Sequence, residues 1–125
     1  MTDIDLEAIA DDVFAAAEAG DWERFASHFA EGAVLRQNVG VELVLADALP
    51  GLQSFTADGT TLRYDNVRRL VGKLHATELH DAVFTKPDGR EVRIDICVVM
   101  QFDGRGKITR VDEYLDSGAA AALFT

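Results

Sequence analysis

The chain has 125 residues, nearly half of them hydrophobic, which is enough for one domain with its own core and too apolar for disorder. Its formal net charge of -10 excludes a basic face for nucleic acid or for an anionic membrane surface. The lone cysteine, Cys97, excludes a disulfide framework and a thiolate metal site, and is read as inert filling of a strand.

Residues 4–19 read as an amphipathic helix, with Leu6, Ile9, Val13 and Ala17 on one stripe and Ala10 and Phe14 beside it. Asp3 or Asp5 caps its start, and Gly20 supplies the left-handed residue that ends it. Asp21 caps a short second helix whose Trp22, Phe25, Ala26 and Phe29 face inward, and Gly32 breaks it. Val34 to Val39 reads as a first strand. Residues 44–54 read as a third helix with a break or restart at Pro50-Gly51, because proline fits only the first turn. After a turn at Ala57-Asp58-Gly59 come two strand candidates, Thr61 to Val71 and Leu74 to Lys86. Pro87-Asp88-Gly89 turns the second of these back as a hairpin.

The next strand carries the clearest pattern in the chain. Val92, Ile94, Ile96, Val98, Met100 and Phe102 alternate with Arg93, Asp95, Cys97, Val99 and Gln101, so one whole face is apolar. A face this long covers a core or lines a cavity. Asp103-Gly104-Arg105-Gly106 turns into a final strand, Lys107 to Tyr114, and the alanine-rich Gly118 to Leu123 reads as a last helical turn. The order predicts one α+β domain over 1–125. Its curved sheet, mixed but mainly antiparallel, wraps over the N-terminal helices as a cone-shaped half-barrel with an internal pocket. The N-terminus shows no charged start leading into an apolar run, and no apolar run approaches membrane-spanning length, so a cytoplasmic protein that binds neither nucleic acid nor membrane is expected.

Strand parity selects candidate chemistry. Thr77, Leu79, Asp81 and Val83 share one face, and with that face inward Asp81 sits among apolar neighbours that raise a carboxyl's pKa towards general-base use. Glu113 shares a face with Val111 and Leu115, and two acids in one pocket become an acid–base pair. Arg36 is the counter-charge expected between Asp81 and Glu113. Tyr64 is a candidate hydrogen-bond donor. His80 then faces away from the pocket, and His28 and His75 lack ligand-like spacing, so no metal and no cofactor are expected. The mixed outer face around Cys97 and Val99 suggests a partner.

The chain resembles the nuclear transport factor 2-like superfamily, which holds ketosteroid isomerases, limonene epoxide hydrolases and SnoaL-like polyketide cyclases. The resemblance rests on Gly20-Asp21-Trp22, Phe29-Ala30-Glu31-Gly32-Ala33-Val34, Val99-Met100-Gln101-Phe102-Asp103, and Gly106-Lys107-Ile108 leading to Glu113-Tyr114. Against ketosteroid isomerase, Gln37 stands where the family has its aspartate base, and Val13 and Val98 stand where it has its oxyanion donors. Neither residue type can do that work, so steroid isomerisation by that mechanism is not expected. Against limonene epoxide hydrolase, Asp81, Glu113 and Asn38 match two acids and an asparagine, while Leu79 replaces the arginine and Arg36 the tyrosine.

The resemblance therefore implies acid–base proton transfer or water addition on a small apolar molecule. Asp81 would be the base, Glu113 the acid, Arg36 the orienting cation and Asn38 a water or substrate hydrogen-bonder. Gln37, Tyr64, Val98, Met100 and Leu115 would contact the substrate. It also implies a homodimer through the outer sheet face. A non-catalytic protein that binds a hydrophobic ligand in the same cavity, and an interaction module with a filled cavity, are the other readings.

Overall fold

The computed structural model describes residues 4–38 and 40–124. Helix α1 (Leu6–Ala19) begins where the Asp5 carboxylate accepts from the Ala8 N–H at 3.0 Å. It buries Leu6, Ala10, Val13, Ala16 and Ala17, and ends at Gly20 with φ of 70°. The alternative cap, Asp3, lies outside the described residues. Asp21 then caps α2 (Trp22–Ala26) by accepting from the Arg24 N–H at 3.1 Å. Removing that acceptor leaves a helix-end donor unpaired, so Asp21→Ala is expected to cost about 1 kcal/mol in urea denaturation. A cost below about 0.3 kcal/mol would mean that water replaces the cap fully.

The second helix stops earlier than its apolar spacing predicts. Phe29 opens strand β1 (Phe29–Gln37) because it pairs with Ile108, and Gly32, at φ of 76°, lies inside the strand where that pairing shifts register. Val39, the expected end of this strand, lies outside the described residues. A short strand the sequence did not announce, β2 (Glu42–Val44), pairs antiparallel with β1. Helix α3 (Leu45–Ser54) runs through Pro50 without the expected break. Proline removes one helical hydrogen bond there, but Leu45, Ala48, Leu49 and Leu52 lie against the core and hold the helix in place.

Four long strands follow: β3 (Thr61–Val71), β4 (His75–Thr85), β5 (Glu91–Phe102) and β6 (Ile108–Leu115). The six strands form one mixed sheet in the order β2-β1-β6-β5-β4-β3. Only the β1–β6 pairing is parallel among them. The sheet does not close. Helix α4 (Ser117–Ala121) and a short 3₁₀ turn (Ala122–Phe124) finish the chain. In the β5–β6 turn Asp103 accepts from the N–H groups of Arg105 and Lys107 at 2.9 and 3.0 Å. Gly106 is required there twice over: its φ is 79°, and a Cβ would lie 2.7 Å from the Ile4 side chain.

The apolar face of β5 lies inward as its alternation predicts, with Val92, Ile94, Val98, Met100 and Phe102 buried. It meets α1 and α2 across the concave side of the sheet, where Phe25, Phe29, Leu35, Ile108 and Val111 complete the main core.

Candidate active site

Register carries the parity of β5 across the whole sheet. Ile94, Ile96 and Val98 pair with Ala82, His80 and Glu78 of β4, and Met100 and Val98 pair with Val111 and Glu113 of β6. Leu35 and Gln37 of β1 pair with Val111 and Glu113, and Leu62 and Tyr64 of β3 pair with Phe84 and Ala82. These are the residues that turn inward.

Together with the helices they enclose a cavity of about 280 Å³. Its walls are mainly apolar, from Phe14, Trp22, Phe55, Phe84, Val98, Met100 and Leu115 among others, and its polar side chains are Gln37, Thr56, Tyr64, His80 and Glu113. A shallower depression under β2 and α3 shares Gln37, Phe55 and Glu113 with it, so Glu113 stands where the interior approaches the surface.

The structure reverses the two faces of β4. Asp81 lies on the outer face, where it accepts from Asn66 Nδ2 at 2.8 Å and Arg93 Nη1 at 2.9 Å. Its carboxyl is held down at about 2 by hydrogen bonds from Asp95, Asn66 and Arg93, while that of its cross-strand neighbour Asp95 is pushed up by Asp81. A carboxyl so paired is not the buried base that the sequence suggested. Leu79 and Val83 had marked that face as the apolar one. The true inner face carries Ala76, Ala82 and Phe84, and two polar residues that satisfy each other, Glu78 and His80.

Arg36 is also outside. It lies 5.7 Å over the Tyr114 ring, donates to the Tyr114 hydroxyl at 3.4 Å and pairs with Asp112 at 3.7 Å. Its neighbour Gln37 takes the inward position. Asn38 turns its side chain to the backbone of β6: it donates to the Leu115 carbonyl at 3.2 Å and accepts from the Leu115 N–H at 3.0 Å. The side chain thereby acts as one more rung between β1 and β6. The water-activating set expected from Asp81, Arg36 and Asn38 does not assemble in the cavity. Glu113, Gln37, Tyr64, Val98, Met100 and Leu115 do line it.

Sequence reading missed the centre of the site. Glu78 is 0 % exposed. One carboxylate oxygen, Oε2, lies 2.5 Å from His80 Nδ1. The other, Oε1, accepts from Arg69 Nε at 2.7 Å and lies 2.5 Å from Nη2. Arg69 itself, its side chain 7 % exposed, reaches out to Glu7 and Asp11 of α1 at 2.7 Å each. It points inward because β3 carries a bulge between Asp65 and Arg68, where Asn66 has φ of 55°. The bulge inverts the parity of the strand, so Tyr64 before it and Arg69 after it reach the same side. Among the described residues no buried side-chain polar atom lacks a hydrogen-bond partner.

Aromatic rings fix His80. Tyr64 lies against it with centroids 4.3 Å apart, and Phe14 meets it edge-on at 5.1 Å. Burial pushes the Glu113 carboxyl above its ordinary range, opposed by the field of His80 and a hydrogen bond from Gln37. Burial likewise pushes the Tyr64 hydroxyl up, helped by the charges of Glu113, Glu18 and Glu78. Among the described residues there is no cluster of three or more histidine, cysteine or acidic side chains that could hold a metal ion, and no helix is long and apolar enough to cross a membrane.

Fold and site together define a small α+β protein with a mainly apolar pocket and a few convergent polar groups. A family model for the SnoaL-like domain matches residues 10–111, and the chain belongs to that family, within the nuclear transport factor 2-like superfamily. Solved structures agree on the cone-shaped fold. A candidate polyketide cyclase from Xanthomonas campestris pv. campestris is 14% identical, with 96% of each chain covered and a TM-score of 0.81. A candidate isomerase from Rhodopseudomonas palustris is 16% identical, covering 99% of this chain and 98% of its own, with a TM-score of 0.75. The protein Bal32a from a soil-derived mobile gene cassette is 15% identical over 96% of each chain, with a TM-score of 0.77. No curated protein matches the sequence.

Proposed function

We propose that the protein is an acid–base catalyst of proton transfer on a small, uncharged, largely apolar molecule that carries a carbonyl group. The observation that carries this reading is the grouping of His80 and Glu113 in a mainly apolar cavity. His80 is held at Nδ1 by Glu78, which leaves Nε2 for the substrate. It would take a proton from the carbon beside the carbonyl. Glu113, whose raised pKa favours the neutral acid, would donate to the carbonyl oxygen as the enol forms. Return of the proton at another carbon gives isomerisation, and attack of the enol carbon on a second carbonyl gives ring closure. Among the described residues the cavity presents no arginine or lysine, which disfavours phosphate or carboxylate substrates. The neighbours described as a polyketide cyclase and an isomerase are consistent with both outcomes. The outer sheet face, with Val67, Leu70 and Tyr114 exposed, would form a homodimer, which sedimentation in solution checks.

The test uses 2-tetralone in deuterated buffer, with deuterium uptake at the carbons beside the carbonyl followed by NMR. Uptake above the buffer rate supports catalysis. Binding without uptake supports the second reading, a hydrophobic-ligand binding protein, which the preponderance of apolar walls favours. Asp81→Asn is expected to leave the uptake rate within about twofold of the wild type, because Asp81 lies on the opposite face of the sheet. A loss of 100-fold or so would return Asp81 to the catalytic set.

A further inference from the structure

We propose that Arg69 is a positioning residue that sets the tautomer of His80, placing the ring proton on Nδ1 and the Nε2 lone pair towards the cavity. The inference rests on the reading of His80 as the base, and its test lets either fail alone.

An arginine side chain only donates, so Glu78 Oε1 accepts from Nε at 2.7 Å and from Nη2. That confines the variable proton to the short contact between Oε2 and His80 Nδ1. On the nitrogen, the proton leaves Nε2 free to act as base. With the carboxyl instead protonated by one further proton from solvent, Oε2–H donates to Nδ1, the neutral ring carries its own proton on Nε2, and the base is gone.

The guanidinium decides between the two. It is almost wholly buried against a fully buried carboxyl, and a fixed positive charge in such surroundings favours the carboxylate. Glu7 and Asp11 draw on the same charge, but their side chains are 55% and 68% exposed and screened by solvent. The other groups facing His80 are Phe14 from α1, Tyr64 from β3 and Glu113 from β6. None of them contacts Nδ1 in place of Glu78. The bulge at Asn66 is what makes the arrangement possible, since without it Arg69 would point to the outer face.

The experiment is a long-range ¹H–¹⁵N spectrum of the neutral ring in histidine-labelled protein, with His80 assigned through His80→Gln. The wild type is expected to show protonated Nδ1 and bare Nε2. Arg69→Gln is expected to reverse this and to lower 2-tetralone exchange about 100-fold, while Arg69→Lys restores both. Protonated Nε2 in the wild type, or an unchanged tautomer in Arg69→Gln, overturns the proposal. Should Arg69→Gln not fold, the wild-type and Arg69→Lys spectra decide it: Nδ1–H in both supports, Nε2–H in either overturns. A reversed tautomer with exchange intact would sink His80 as the base and leave the role of Arg69 standing.

Discussion

Arg69→Ala is expected to lower the unfolding free energy by about 3–5 kcal/mol at neutral pH. The figure follows from what is left behind rather than from the contact that is lost. Glu78 is 0 % exposed, and alanine strips its Oε1 of both guanidinium donors without admitting a replacement side chain. The carboxyl must then stay charged without compensation or take up a proton, and either is costly in an apolar interior. An exposed pair such as Arg63–Glu91, at 3.1 Å, gives the contrast, because water screens it and little stability is lost with it. The diagnostic variant is Arg69→Met combined with Glu78→Gln, which removes both buried charges, leaves an amide oxygen to accept from His80 Nδ1, and should recover much of the loss. A single-variant cost below about 1 kcal/mol in chemical denaturation would mean that Glu78 is not dependent on Arg69.

Replacing His80 with glutamine is expected to lower catalysed deuterium uptake by about 10²–10⁴-fold, the usual worth of a positioned general base, without loss of ligand binding. Glutamine keeps a hydrogen-bonding side chain but cannot take the proton. Glu113→Gln tests the acid with a second signature. The folded protein holds the Glu113 proton above the pH at which the unfolded chain has released it. Donation is therefore available below the raised pKa and is lost as pH climbs through it, which gives a falling alkaline limb to the rate. Linkage gives stability the same sign: the native state binds more protons than the unfolded state between the two pKa values, so stability declines as pH rises across that window. Glu113→Gln should remove the alkaline limb and that part of the stability slope. An alkaline limb that persists in Glu113→Gln would assign it to another group.

Much of the frame was legible because it depends on local pattern. The six alternating apolar residues of β5, the Asp21 cap, the left-handed Gly20 and the Asp103–Gly106 turn each follow from neighbouring residues alone. Glu113 was legible for the same reason, since Val111 and Leu115 mark its face. The error at β4 came from reading one strand in isolation. Leu79 and Val83 made the odd-numbered face look like the buried one. The hairpin pairs Thr85 with Glu91, so even-numbered residues oppose even-numbered residues, and the unambiguous face of β5 already requires Glu78 and His80 to turn inward. The signal was present in the turn length. Arg69 was a different case. Its direction depends on a bulge, and asparagine tolerates the left-handed conformation without announcing it in the sequence. Strand β2 is three exposed residues long, too short to leave a periodic trace.

The parallel contact between β1 and β6 bears on the order in which the molecule assembles. The strands from β3 to β6 are joined by short hairpins and can form by local closure. Leu35 and Val111, by contrast, are separated by more than half the chain, so the loop they close carries a larger entropic cost before any contact rewards it. Docking of the first strand onto the last is then a late event. That strand brings Phe29, Leu35 and Gln37 to the cavity, so no intermediate that lacks it has a complete pocket. A molecule that fits the cavity has nothing to hold until folding is almost over. It lengthens the lifetime of the native state by slowing unfolding, and leaves the rate of folding almost untouched.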